Sequence, residues 1–410
     1  MDPFGTSSSP RGLLRSSVAG VCIAVLTATG LTSCTDNSDP TGASAPSVPS
    51  VDATPGHIIT NTTFDAVAPA EARRVVFRST SATGGPATVS GTLLSTDTQW
   101  AGPGPRPLAV VTPGTLGMAD RCASSIALRF KAMPTPPSQE LLQLGWDVMI
   151  VDYEGLGTPG THPYMNRLSA GHSTLDAARA ALTLRDGKDV RDDEEPDAKV
   201  PMAILGYSQG GGAAAAAAEL AATYAPELDI KAVYAGAVPA DLAATAQHIP
   251  SSTLAGAVGY SIAGLEATYP ELSPAFDRIL SAEGRAFVDS STSDCVSETV
   301  NKWANDDTRS FTRDGRPLGM HLADSTIADR VRQQQLGGVA PTMPVFVTHN
   351  EHDDIVPVQP ARDMVQRWTD AGADVTYSEI SEDFGEGSHG LAFVKTRDEA
   401  FAWLLQKMDY

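Results

Sequence analysis

Positive charge is scarce in this 410-residue chain, where 29 lysines and arginines face 49 aspartates and glutamates for a net charge of −20. Nucleic-acid phosphates would be repelled by such a surface, which excludes them as partners. Cysteine is scarce too. Of the four, Cys22 and Cys34 lie near the N-terminus, so the body, with only Cys122 and Cys295, has thiols for one internal disulfide at most. No internal repeat is present, which excludes a solenoid or propeller. What is there is ordinary apolar content, 42%, enough for a large core. The length suits one large α/β domain carrying an insertion.

Arg11 and Arg15 precede the apolar run "SVAGVCIAVLTATGLTSC". It is too short to be read as a membrane span and has the pattern of a signal peptide. It closes on Leu31-Thr32-Ser33-Cys34, similar to a bacterial lipobox, in which Cys34 is lipidated and becomes the first mature residue. A plain secretory signal cleaved nearby is the alternative. Residues 1–34 are thus expected to be a leader, and residues 35–60, rich in Ser, Pro, Asp and Gly, a disordered tether. The expected location is outside the cell, with membrane association through an N-terminal lipid anchor. Thiols oxidise there, so Cys122 and Cys295 are expected to pair as a disulfide rather than remain two buried thiols.

Two β-rich stretches, "RRVVFRSTSA" and "PATVSGTLLS", flank a Gly-Gly-Pro turn and predict an antiparallel pair. Further strands are expected in "PLAVVTPG", "GWDVMIVDYEGLG", "PMAILGYS", "DIKAVYAGAV", "MPVFVTHN" and "ADVTYSEI". A helix is expected from Ser173, with Asp176 as its capping-box partner. Strands alternating with helices predict a mostly parallel sheet covered on both faces. The rhythm breaks between residues 241 and 339, where only helix-like segments occur. The expected organisation is an α/β core over 61–240 and 340–410, with a helical lid or cap over 241–339. Within that cap, Leu254, Val258, Ile262 and Leu265 recur at helical spacing after Ser251-Ser252. That stripe suits either a lipid-facing helix or ordinary packing.

The stretch "AILGYSQGGGAAAAAAELAA" carries the chemistry. Gly206-Tyr207-Ser208-Gln209-Gly210 matches the G-x-S-x-G nucleophile elbow, and a strand before and a helix after are the context that motif needs. A serine hydroxyl requires an adjacent base oriented by a carboxylate. On α/β-hydrolase sheets the acid and then the base follow the serine in the chain. "MPVFVTHNEHDDIVP" ends a strand and offers Asp353, with Asp354 as the alternative, and His389 is the one histidine after them. The "HNEHDD" cluster also has metal-ligating residue types, but on a strand end its side chains diverge, and no metal or cofactor is expected. The Gln209 backbone N–H is expected in the oxyanion hole, with a second donor from "TPGTLGMADRCA".

Together "TPGTLGMADRCA", "DYEGLG", "GYSQGG", "DDIVPVQPA" and "SHG" resemble the secretory lipases, the Candida lipase A-like family with actinobacterial members. The resemblance implies Ser208 as nucleophile, Asp353 as acid and His389 as base. It adds Asp120 as second oxyanion contributor beside Gln209, a Cys122–Cys295 disulfide and a helical lid. It implies triacylglycerol or another carboxylic ester as substrate. A short-chain carboxylesterase, an acyltransferase on the same fold, and a surface lipoprotein that binds a ligand without turnover are the alternatives. Gln209 stands where the fungal family member has glycine, which is expected to narrow the pocket, and no counterpart of the fungal C-terminal flap is expected after His389.

Overall fold

The computed structural model of the protein describes residues 54–66, 70–185, 199–249, 252–322 and 325–409. Cys34, the expected leader and most of the expected tether lie outside them. The described strands are β1 (Ile58–Phe64), β2 (Ala70–Thr80), β3 (Pro86–Thr96), β4 (Leu108–Thr112), β5 (Asp147–Glu154), β6 (Pro201–Tyr207), β7 (Asp229–Gly236), β8 (Val345–Asn350) and β9 (Val375–Ile380). They form one sheet in the order β1-β2-β3-β5-β4-β6-β7-β8-β9. β1, β2, β3 and β5 pair antiparallel, and the rest, from β5 through β4 to β9, pair parallel.

The strand sequences explain their places. "LAVVT" of β4 and "VFVTHN" of β8 are buried throughout, as strands covered on both faces are. β2 alternates instead, with Val75 and Phe77 inward and Arg74 and Arg78 at its partly exposed positions. Successive residues of β6 face opposite layers: Ile204 joins a core with Leu175 and Ala214, while Ala203 and Leu205 join Leu141, Phe346 and Leu404. The first layer holds the helices Arg167–Arg185 and Gln209–Tyr224; the second holds Pro136–Gln143 and the final helix, Ser388–Lys407. Ala213 to Ala218 are almost wholly buried. Alanine favours the helix and leaves nothing to hold neighbouring backbones apart.

Between β7 and β8 the described elements are all helical, including Leu242–His248, Ala257–Thr268, Ala282–Ser291 and Val296–Trp303. These helices surround an apolar cluster of their own, with Tyr260, Phe276, Phe287 and Phe311 fully buried. Cys122, in the loop after β4, is joined by a disulfide to Cys295, the N-cap of Val296–Trp303. Backbone bonds flank the bridge: Met118 N–H donates to the Asp294 carbonyl and Val296 N–H to the Leu116 carbonyl, at 2.9 and 2.8 Å.

Three expectations need correction. Residues 58–60, expected in the tether, begin β1; pairing with β2 supplies the hydrogen bonds, and a mostly exposed strand leaves little apolar signal. The helix expected from Ser173 starts at Arg167, and Ser173 is buried inside it. Asp176 caps nothing: its carboxylate accepts from Ser79 Oγ, Tyr224 OH and Arg179 Nη1. The cap helix expected after Ser252 begins at Ala257.

The Cys122–Cys295 bridge spans 173 positions of sequence. In the chain-entropy account a loop of that length is stabilised by about 5 kcal/mol at most. Replacing both cysteines with serine is expected to lower the thermal midpoint by several degrees, and dithiothreitol to lower the wild-type midpoint but not the variant's. A double variant melting with the oxidised parent would show that the bridge contributes no stability.

Candidate active site

Between β6 and the helix Gln209–Tyr224 the chain reverses within one residue. Ser208 sits at φ 61°, ψ −124°, a region that costs a non-glycine residue roughly 1–3 kcal/mol. The neighbours explain how the bend closes. A Cβ on residue 206 would lie 2.1 Å from Thr112 Oγ1, and one on residue 210 would lie 2.0 Å from the Thr112 carbonyl oxygen. Only glycine fits at either position. Thr112 Oγ1 then donates to the Gly210 carbonyl at 2.9 Å, Ser208 N–H to the Gly236 carbonyl at 2.9 Å, and Gly212 N–H to the Ser208 carbonyl at 3.0 Å.

The structure brings Ser208, His389 and Asp353 together. His389 Nε2 lies 2.8 Å from Ser208 Oγ, and its Nδ1 lies 2.8 Å from Asp353 Oδ2. A carboxylate only accepts, so Nδ1 carries the proton and Nε2 is free to accept the serine's. Burial alone would raise the Asp353 pKa. The hydrogen bond and charge of His389, with His349 and the Val356 N–H, outweigh it and hold the group below the usual carboxylate range. The other Asp353 oxygen accepts the N–H groups of Ile355 and Val356 at 2.9 and 2.8 Å.

Asp354, the alternative acid, does something else. Its oxygens accept the backbone N–H groups of Gly387 and His389 at 2.9 and 2.8 Å, clamping the loop that starts the final helix. Tyr207 OH donates to the His389 carbonyl at 2.7 Å, so the backbone carrying the imidazole is held from two sides. Within the "HNEHDD" cluster, His349 Nε2 donates to the Val356 carbonyl and His352 is exposed, so their rings do not share a site.

The sequence profile of the secretory lipase family matches residues 137–409. The chain belongs to this family. A Mycobacterium tuberculosis relative named "probable inactive lipase" is 30% identical over 319 residues, covering 75% of this chain and 68% of that protein. A secreted triacylglycerol lipase of Malassezia furfur is 32% identical over 249 residues, covering 59% of this chain but only 44% of its own length. Candida antarctica lipase A in its closed state superposes with a TM-score of 0.68 at 20% identity, over 85% of this chain and 83% of that one. At that identity the likeness establishes the fold, an α/β-hydrolase.

In this secretory lipase chain a cavity of about 40 Å³ opens at Ser208, walled by Tyr164, Met165, Leu242, Ile249, Val258 and Ile355. Cap helices thus form one side of it. The cap also reaches the acid: His248 Nε2 donates to the Asp353 backbone carbonyl at 2.9 Å. Gln209 opens its helix, where backbone N–H groups have no acceptor within the helix.

Asp120, the expected partner of Gln209 at the oxyanion position, is not among the residues lining this cavity. Its carboxylate accepts the Gly157 N–H at 3.0 Å, and the residue is exposed beside the disulfide. It opens the 3-10 turn Asp120–Cys122, and earlier in the same stretch Thr112 and Gly114 lie against the elbow.

His162 is the residue that chain order hid, because it precedes the serine. Its Nδ1 lies 2.8 Å from the Glu154 carbonyl and must donate there, so Nε2 accepts from Gln209 Nε2 at 2.9 Å. That bond fixes the side chain next to the nucleophile. Burial pushes the His162 pKa down to about 4, against a hydrogen bond to Glu154 that raises it. The unfolded chain takes up this proton near its ordinary value of about 6.5. Stability from a neutral His162 is therefore full above that value and declines as the pH falls toward 4. The variant His162→Gln is expected to show a shallower loss of stability between pH 6.5 and 4 than the parent, read from urea midpoints. Parallel curves would remove the assignment.

Proposed function

We propose that the protein is a serine hydrolase that cleaves carboxylic esters through an acyl-enzyme at Ser208. The observation that supports this best is the unbroken relay from the strained Ser208 through His389 to Asp353, with both links at 2.8 Å. In the reaction, His389 Nε2 takes the Ser208 proton as Oγ attacks the ester carbonyl. The tetrahedral oxyanion is met by the Gln209 N–H and by a second donor from the loop after β4. Collapse breaks the carbonyl–alkoxide bond, and the imidazolium returns the proton to the departing alcohol. Water, deprotonated by the same nitrogen, then releases the acid and restores Ser208. Asp353 keeps the imidazole in its productive tautomer throughout and stabilises its charge.

The substrate class we favour is a lipid ester such as a triacylglycerol. The Malassezia relative's name and the apolar cap wall of the cavity support it. A volume of about 40 Å³ holds a few waters and no acyl chain, so substrate entry requires the cap or Met165 to move. An extracellular location, with Cys34 as lipid anchor, accords with that relative's being named as secreted. The second reading is a non-catalytic ligand binder, favoured by the name of the mycobacterial relative. A fluorophosphonate probe separates the two, since a binder without an activated serine stays unlabelled.

The Ser208→Ala variant is expected to lose turnover of p-nitrophenyl esters by roughly 10,000-fold or more while melting like the parent. With Asp353→Asn the expected kcat loss is about a thousandfold or greater, because the tautomer is wrong. With Asp354→Asn it is only about tenfold, through a loosened loop. A larger loss at Asp354 than at Asp353 would exchange their roles, and retained turnover in Ser208→Ala would end the mechanism. Activity across butyrate, octanoate and oleate esters, with emulsified triglyceride, distinguishes lipase from short-chain esterase.

A further inference from the structure

A second cavity gathers four arginines in a chain dominated by acid. Of about 810 Å³, it is lined by Arg167, Arg330, Arg332 and Arg367, with Leu168, Leu336 and Tyr269 among its apolar walls. Some of this charge is already paired. Arg167 Nη1 donates to the buried Glu219, Arg330 to Glu271, and Arg332 to Asp329. Arg367 is different: its Nε and Nη2 donate to the carbonyls of Gly337 and Leu336, and no carboxylate pairs with it among the described residues. Arg167 Nε is buried without a hydrogen-bond partner among the described residues. Of the four guanidinium groups lining the cavity, that of Arg367 is therefore the one without a carboxylate of its own among the described residues. Arg330 is held in place by stacking on the Tyr269 ring, 4.4 Å from its centre.

This vestibule lies behind the catalytic cavity. Its inner wall, Arg167, Gln334 and Leu336, also bounds a neck of about 20 Å³, and the neck shares Met165, Gln209 and Pro239 with the cavity at Ser208. The neck has room for about one water. The Gln209–His162 hydrogen bond stands in its wall.

We propose that the vestibule binds an alkyl carboxylate, the class of acid that ester cleavage would release. The inference rests on the hydrolase reading for the source of this ligand. Guanidinium forks match the two oxygens of a carboxylate, and the leucines and the Tyr269 ring give an alkyl tail apolar cover. Phosphate has the charge but no use for those walls. An acid bound there leaves the Ser208 cavity open and does not compete with the ester for it.

Calorimetric titration of the full chain carrying Ser208→Ala, with octanoate as probe, tests the site without any turnover. Saturable binding of octanoate is expected, weakening as salt is raised. Adding Arg367→Gln should weaken it roughly tenfold, the scale of one charge-assisted hydrogen bond. Arg332→Gln, at the exposed rim, is a second variant that leaves the core untouched and should weaken it less. Inorganic phosphate at the same concentration should not displace octanoate. Absence of binding, identical affinity with both arginines replaced, or displacement by phosphate would each overturn the proposal. The two readings fail separately: an inactive parent that binds octanoate through Arg367 ends the hydrolase reading alone, whereas an active parent whose octanoate affinity ignores Arg367 ends the vestibule alone.

Discussion

Two backbone positions on either side of Ser208 admit no side chain, because Thr112 of the neighbouring strand β4 already fills the space a Cβ would take at residues 206 and 210. This close approach is what lets β6 turn into its helix in one residue, and it holds Ser208 in a conformation that an isolated peptide would abandon. The strain persists because the surroundings over-determine it: Thr112, Gly236 and Gly212 each hydrogen-bond the elbow. It depends in turn on β4 and β6 being adjacent, which the crossover β4–β5–β6 arranges. The elbow is therefore a property of the sheet order as much as of five residues.

Around that bend the structure divides tasks that one-dimensional reading would merge. Asp353 and Asp354 are chemically identical and adjacent, yet one faces the imidazole and the other holds the backbone that carries it. The helical insertion is tied in at both levels, by the disulfide to the loop after β4 and by His248 to the carbonyl of the acid itself. Gln209 likewise serves two places: its backbone N–H opens the elbow helix, while its side chain is turned away and held by a neutral, buried His162.

Legibility differed by element for identifiable reasons. The interior strands announce themselves by unbroken apolar runs, and the helices of the insertion by their spacing. β1 is largely exposed and has no apolar alternation to read; it exists through its pairing with β2. The start of the helix at Arg167 carries no capping signature, whereas Ser173 with Asp176 imitates one inside it. Asp120 is implied by family resemblance alone, and its carboxylate accepts the Gly157 N–H.

What the sequence determined alone is local or ordinal: the elbow, from glycines whose missing side chains can be counted, and the order of serine, acid and base along the chain. Those follow from covalent geometry and from the one-way topology of the sheet. What the tertiary structure decided is every relationship between groups far apart in the chain, including which aspartate meets His389, that His162 meets Gln209, and that four arginines share one cavity. Hydrogen bonds act over about 3 Å, and folding alone brings residues 47 or 181 positions apart within that range.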